Sequence, residues 1–247
     1  MKPLSTVALV CHSTDVGPGD FTVTKQPTVL GTCFAFRYPT TFLTARHVFR
    51  RANPQELAIS FLTIPGLRPV VEVHAHPSAD LAVLKTADVN TAGIEPFWDV
   101  VSNLSIGEEF FAYGFPEDLL FGSGGTPARL FTGHYQRFFD FDSPHNYRYV
   151  AGEMSIPCPA GLSGGPLFRP GAAVMLTAMA AENLETSLWK EVEETEGPDG
   201  RPVRKIAGEG RVNYGIAVIL AEILDWLNER VPPRSPDSFL RPPIPTR

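Results

Sequence analysis

Short apolar or alternating runs of strand length, each bounded by turn-forming residues, dominate the chain. Thr6–Cys11 is the first. Thr28–Phe36 is the second, interrupted by Gly31, a position suited to a bulge or a close backbone approach. Tyr38-Pro39-Thr40 reads as a turn, and Thr41–Ala45 as a strand running directly into Arg46-His47-Val48. Leu57–Ile64 and Val70–His76 follow, and after His76-Pro77-Ser78-Ala79-Asp80 comes the unbroken apolar run Leu81–Leu84. Beyond a linker near Thr86–Asn103 a second series opens with Glu109–Gly114, Ala128–Phe141 and Asn146–Met154. Pro166–Phe168, Ala172–Ala181 and Val212–Val218 complete it. Between the last two, Glu182–Arg211 turns from acidic to basic around Gly197-Pro198-Asp199-Gly200, which predicts a charged hairpin. Such a hairpin is either a solvated surface loop or a flap facing a substrate or partner. Helical spacing occurs in Ile219–Arg230, with Ile219, Leu220, Ile223, Leu224, Trp226 and Leu227 on one face. Val231–Arg247 is proline-rich and reads as extended.

Composition supports the same picture. Twenty-four prolines and 21 glycines among 247 residues favour many turns and few long helices, hence an all-β fold. Hydrophobic residues make up 43% and charged residues 19%, the balance of a globular protein. The net charge of −6, without a basic block, argues against nucleic acid or an anionic membrane as partner. No run approaches the length of a membrane span. The apolar stretch before Cys11 is too short and interrupted for a signal peptide and reads as a strand. Cys11, Cys33 and Cys158 make neither a disulfide framework nor a paired zinc pattern, so a reducing, cytoplasmic compartment is expected.

The chemistry concentrates in Gly161-Leu162-Ser163-Gly164-Gly165-Pro166. Flanking glycines let backbone approach a substrate closely and leave the Gly161 and Ser163 amides free to converge on an oxyanion. A nucleophilic serine requires a base and a group to orient that base. His47, at the exit of a strand, is the candidate base. Asp80, where a loop meets a buried strand, is costly there unless an imidazole N–H satisfies it. His74 and His76 lie two apart, but no cysteine or carboxylate pattern completes a metal site. His12, His134 and His145 are isolated and read as structural. Cys158 reads as a packing residue, with a redox handle beside the serine as the alternative.

With LTARHV, DLAVL and GLSGGP in that order, the chain resembles the chymotrypsin-fold, trypsin-like serine peptidases over about Ser5–Leu227. The closest likeness is to the bacterial Deg/HtrA-type peptidase domain, here without a PDZ-type peptide-binding module. The resemblance implies two six-stranded antiparallel Greek-key β-barrels and a C-terminal helix packed on the second. Residues 1–95 would form the first barrel and 96–230 the second with its closing helix, leaving 231–247 as tail. It implies a catalytic triad of His47, Asp80 and Ser163, an oxyanion hole of the Gly161 and Ser163 amides, and no metal or cofactor. The substrate would be a protein or peptide. Pro157, Ala160, Thr177, Ala178, Met179 and Ala180 would line the pocket for the residue before the cleaved bond. Pro157 stands six before the serine, where enzymes cutting after Lys or Arg carry an acid, so an uncharged side chain is expected. Two departures stand out. Leu162 occupies a position that is aspartate in secreted animal members and asparagine in HtrA-type members, which leaves open what holds the loop Ser155–Leu162. Val48 stands directly after His47, where the disulfide-linked members carry a cysteine. The alternatives are a catalytically silent peptide-binding module, or an enzyme switched on by a protein partner.

Overall fold

The computed structural model describes residues 6–12, 28–50, 52–87, 91–116, 128–169, 171, 174–196 and 202–233; of residues 12, 188–191, 193–196 and 202–209 it describes the backbone alone. The hairpin tip Gly197–Gly200 and the tail from 234 onward lie outside them. Twelve strands form two closed barrels. The first holds β1 (Val7–His12), β2 (Thr28–Phe36), β3 (Tyr38–Thr44), β4 (Leu57–Ser60), β5 (Leu67–Ala75) and β6 (Ala82–Thr86) in the order β1-β2-β3-β6-β5-β4. The second holds β7 (Glu109–Gly114), β8 (Arg129–Asp142), β9 (Arg148–Met154), β10 (Pro166–Arg169), β11 (Met175–Glu196) and β12 (Pro202–Ile219). Its order around the barrel is β7-β8-β9-β12-β11-β10, the same Greek-key path as the first. A turn at Leu220–Ile223 leads into α1 (Leu224–Arg230). Among the described residues no helix is long and apolar enough to cross a membrane.

The unbroken apolar runs have a physical reason: their strands are buried on both faces. Along β2, Cys33 and Ala35 point into the first barrel, while Phe34 and Phe36 point into a core shared by both barrels. In β6, Ala82 and Leu84 face the barrel and Val83 faces the shared core. In β12, Ala217 and Ile219 face the second barrel, and Ile216 and Val218 face the shared core.

Several expectations change. Tyr38-Pro39-Thr40 belongs to β3; the reversal is made at Arg37, whose φ is 58°. The Arg37 guanidinium holds that bend by donating to Asn228 Oδ1 (2.8 Å) and to the Val231 carbonyl (2.5 Å). The C-terminal helix therefore contacts the first barrel as well as closing the second. Trp226 meets His76 edge-on at 4.9 Å between ring centroids, and Tyr38 donates to the Pro232 carbonyl (3.0 Å). Fully buried Leu227 lies in the shared core with Leu81 and Val83, so the helix seals the seam between the barrels. The charged hairpin is continuous with the barrel: β11 and β12 pair from Ala178↔Ile219 out to Glu196↔Pro202.

Two local devices position the site. The first is Thr32, a fully buried polar residue in β2. Its amide donates to the Ser163 carbonyl (3.0 Å), and its hydroxyl donates to the Gly161 carbonyl (2.6 Å). The same hydroxyl accepts from Phe115 N (3.2 Å), and the Thr32 carbonyl accepts from Thr44 Oγ1 (2.8 Å). Gly31 brings β2 close enough for this: a Cβ there would stand 3.1 Å from the Ser163 carbonyl. The register slips between Val10↔Gly31 and Cys11↔Val29, leaving Leu30 as the extra residue of a bulge.

The second device is the turn after β5. His76 Nδ1 accepts from Ser78 N (3.2 Å) and Ala79 N (2.8 Å), and His76 N donates to the Leu81 carbonyl (2.9 Å). This folds the segment that presents Asp80. Arg46 reaches over to donate to the His76 carbonyl (3.1 Å).

Thr32→Val keeps the shape and removes the hydroxyl, leaving a buried amide and carbonyl unpaired. A loss of about 1–3 kcal/mol is expected, against about 1 kcal/mol for Thr32→Ser, which lacks only a methyl group. Urea unfolding of both variants tests this, and Val tolerated as well as Ser would remove the clamp. Burial, and then Arg46, push the His76 imidazole below its ordinary range. The unfolded chain thus binds the proton more readily than the folded one. That contribution to stability is complete above about 6.5, the ordinary histidine value, and is lost as pH falls through it toward the depressed folded value. The urea midpoint should drop between about pH 7.5 and 5.5, and drop less in His76→Asn, whose Oδ1 accepts the same amides without titrating.

Candidate active site

His47 lies in a short helical turn, Arg46–Phe49, directly after β3. Asp80 lies between β5 and β6 with its side chain 0% exposed. One carboxylate oxygen accepts from the His47 backbone N–H (2.9 Å), and the other is 2.6 Å from Nδ1. A carboxylate accepts only, so the ring proton sits on Nδ1 and the Nε2 lone pair stays available. The imidazole is 21% exposed, and its face is stacked by His145, with centroids 5.5 Å apart and planes 27° apart. His145 comes from the β8–β9 turn of the other barrel, where Asn146 adopts φ 64° and its amide donates to the Ser143 carbonyl (2.9 Å).

The serine loop is built on a turn. Leu162 N donates to the Pro159 carbonyl (3.0 Å), and Gly161 at φ 89° supplies the left-handed residue that a type II turn needs. The Gly161 and Ser163 N–H groups donate to no other described residue, while the Gly161 carbonyl is taken by Thr32. Gly164 has φ 85°, and a Cβ there would fall 2.0 Å from the Thr32 carbonyl and 3.0 Å from Ala45 N. Ser163 is thereby seated beside the end of β3, next to the segment that carries His47. Its hydroxyl donates to the Ala181 carbonyl (2.6 Å).

Leu162 holds the loop by burial. It is 0% exposed and packs with Phe110, Ala112 and Leu167 inside the second barrel. A Cβ on Gly114 would stand 2.7 Å from its Cδ1. An apolar anchor thus occupies the place where the resemblance led one to look for a polar one.

The residues expected around the acyl pocket separate into two groups. Pro157 and Ala160 are exposed on the loop. Thr177, Ala178, Met179 and Ala180 are all 0% exposed, enclosed in the protein core. Thr177 there bridges the Tyr135 hydroxyl (2.8 Å) and the Leu167 carbonyl (2.9 Å). The backbone of Ala180 nevertheless reaches the serine motif, accepting from Gly164 N (2.8 Å) and donating to the Gly165 carbonyl (2.8 Å), and β11 goes on to meet the loop at Ala181 and Asn183. Asn183 bonds Cys158 twice, its Oδ1 accepting from the amide (2.6 Å) and its Nδ2 donating to the carbonyl (2.7 Å).

Burial pushes the Cys158 thiol up to about 12, and it remains protonated at neutral pH. All three cysteines are buried free thiols. His74 pairs with Glu72, while the His76 ring serves its own turn, so the two imidazoles do not converge. Three site residues escaped the sequence reading. Thr32 carried a signal, a polar residue inside an apolar strand. His145 and Asn183 carried none, because only folding brings them to the cleft.

The model of the trypsin-like peptidase domain matches residues 31–175, more than half of the chain. No curated protein matches. Solved structures do. The chain is similar to the active form of the Rv3671c protease of M. tuberculosis, with a TM-score of 0.60 at 16% identity over 95% of this chain and 84% of that one. It is similar to the MamO protease domain of Magnetospirillum magneticum in its apo form, with a TM-score of 0.57 at 17% identity over 90% of this chain and 96% of that one. It is also similar to the HtrA-type protease AlgW with a decapeptide, with a TM-score of 0.56 at 17% identity over 93% of this chain and 66% of that one. The match along more than half of the sequence, on a fold of two barrels, places this chain in the trypsin-like peptidase domain family, as a serine protease domain.

Proposed function

We propose that the chain is an endopeptidase that cleaves protein or peptide substrates through an acyl-enzyme, with His47, Asp80 and Ser163 as its triad. The observation that carries this reading is the two-point grip of buried Asp80 on His47, at 2.9 and 2.6 Å. It leaves Nε2 of His47 without a described hydrogen-bond partner, on the segment that directly follows β3. In the first step Ser163 Oγ forms a bond to the substrate carbonyl carbon and its proton passes to Nε2. The oxyanion takes hydrogen bonds from the Gly161 and Ser163 amides. Collapse breaks the C–N bond, the imidazolium returns the proton to the leaving amine, and water repeats the sequence on the ester.

In this reading the acyl pocket adjoins the loop around Cys158 and the Ala181–Asn183 segment, which two hydrogen bonds between Asn183 and Cys158 join. Small to medium uncharged side chains suit it. No metal or cofactor has a part in these steps. A reducing, cytoplasmic setting belongs to the proposal and is supported by the three free thiols.

One observation favours a second reading, a resting enzyme opened by a protein partner or a silent peptide-binding module. The Ser163 hydroxyl is spent on the Ala181 carbonyl (2.6 Å) and must rotate away from it to serve as nucleophile.

A fluorophosphonate probe should label wild type and leave Ser163→Ala unlabelled at unchanged thermal stability. Equal labelling of both would remove Ser163 from the role. An unlabelled wild type that binds peptides would establish the second reading. Asp80→Asn should lower kcat by about 10⁴-fold through the wrong imidazole tautomer.

A further inference from the structure

A cavity of about 540 Å³ opens beside His47, lined by Leu30, His47, Val48, Arg50 and His145. Neither the serine loop nor the Ala181–Asn183 segment lines it. A second cavity of about 660 Å³ continues from it, sharing Arg50 and His145 and adding Arg46. Among the described residues no carboxylate lines either cavity, although the chain as a whole carries a net charge of −6. Every ionisable group that the described residues bring to the walls is a guanidinium, an imidazole or the Tyr147 phenol.

The two arginines differ in what they already do. Arg46 is committed, donating to the His76 carbonyl (3.1 Å) with its guanidinium over the Tyr147 ring at 5.3 Å. Arg50 is exposed at the mouth of both cavities. Its guanidinium makes no hydrogen bond or ion pair with any described residue.

Chemistry assigns a side to this space. The imidazole that takes the serine proton must return it to the departing amine, so the leaving segment of the substrate passes along His47 away from the acyl pocket. The 540 Å³ cavity meets both conditions: His47 forms part of its wall, and the acyl-pocket elements do not. Here an unpartnered guanidinium and an imidazole face the leaving segment. Their matching ligand is a carboxylate, which a guanidinium grips through two parallel N–H donors.

We propose that Arg50, with His145 beside it, forms a carboxylate-reading subsite for the leaving side of the substrate. The chain therefore prefers bonds followed within one or two residues by an acid. The carboxylate comes from an Asp or Glu side chain or from the free C-terminus of a short leaving segment. The subsite rests on the triad reading above, because that reading tells the leaving side from the acyl side.

The test uses peptides identical up to the cleaved bond, with Glu, Gln or Lys at the first or second position after it. Each is made with a free and an amidated C-terminus. Wild type should cleave the Glu peptide about 10-fold more efficiently than the Gln peptide, in kcat/KM. Arg50→Gln should erase that ratio and Arg50→Glu should reverse it toward Lys. Arg230→Gln, which changes the net charge equally at the far end of α1, should keep it. A preference that follows the free terminus in place of Glu assigns the subsite to a terminal carboxylate. A Glu-to-Gln ratio near one with no effect of the free terminus, or a ratio that survives in Arg50→Gln, overturns the proposal. Probe labelling of the wild type reports on the triad separately. If it fails, titration of Ser163→Ala with the acidic leaving-side tetrapeptide still decides. Binding weakened about 10-fold by Arg50→Gln supports the subsite, and binding equal in both proteins rejects it.

Discussion

The geometry of the cleft depends on one buried threonine. Thr32 belongs to the first barrel, yet its amide and hydroxyl hold the Ser163 and Gly161 carbonyls of the second. Both carbonyls are thereby held on β2, while the Gly161 and Ser163 N–H groups donate to no described residue. In a dry seam these bonds are strong, and an unpaired partner there is costly. The position of the serine relative to the first barrel is therefore set by hydrogen bonds between barrels, in addition to the contact area of the shared core.

His47 is positioned from the other direction. Asp80 is fully buried and spends its oxygens on one residue, gripping both backbone and ring of His47. Its loop is shaped by the His76 ring, which accepts two amides from that loop and is itself braced by Trp226 of the terminal helix. Through Arg37 the same helix also fixes the β2–β3 reversal. The short α1 thus supports the segments that carry His47 and Asp80, although none of its described residues bonds either side chain.

Leu162 and the Asn183 clasp give the serine loop a different character from one held by an ion pair. Its anchor is apolar and independent of pH. The loop is tied to β11 by two hydrogen bonds between Asn183 and Cys158. The stack of His145 on His47 brings a turn of one barrel over an imidazole of the other.

Much of this was legible in the chain. Strand positions such as Thr28–Phe36 and Glu109–Gly114 follow from apolar runs between turn residues, because a strand buried on both faces needs no alternation. His47, Asp80 and Ser163 stood out because a strand exit, a costly acid and a glycine-flanked serine are local features. Other features were closed to such reading. Arg37 at positive φ makes the bend assigned to Tyr38-Pro39-Thr40 because α1, nearly 200 residues on, supplies its partners. The side chains of Thr177–Ala180 are enclosed by barrel closure, a burial that no local pattern in the chain announces, while the hydroxyl of Ser163 and the amide of Cys158 find partners at Ala181 and Asn183. What the sequence by itself determined was which segments form strands and which residue types carry reactivity, since both depend on neighbours a few positions away. What only the tertiary structure decided was who meets whom across the seam: Thr32 with Gly161, His145 with His47, Asn183 with Cys158. Those contacts join residues far apart in the chain, and no local pattern encodes a distance that only barrel closure creates.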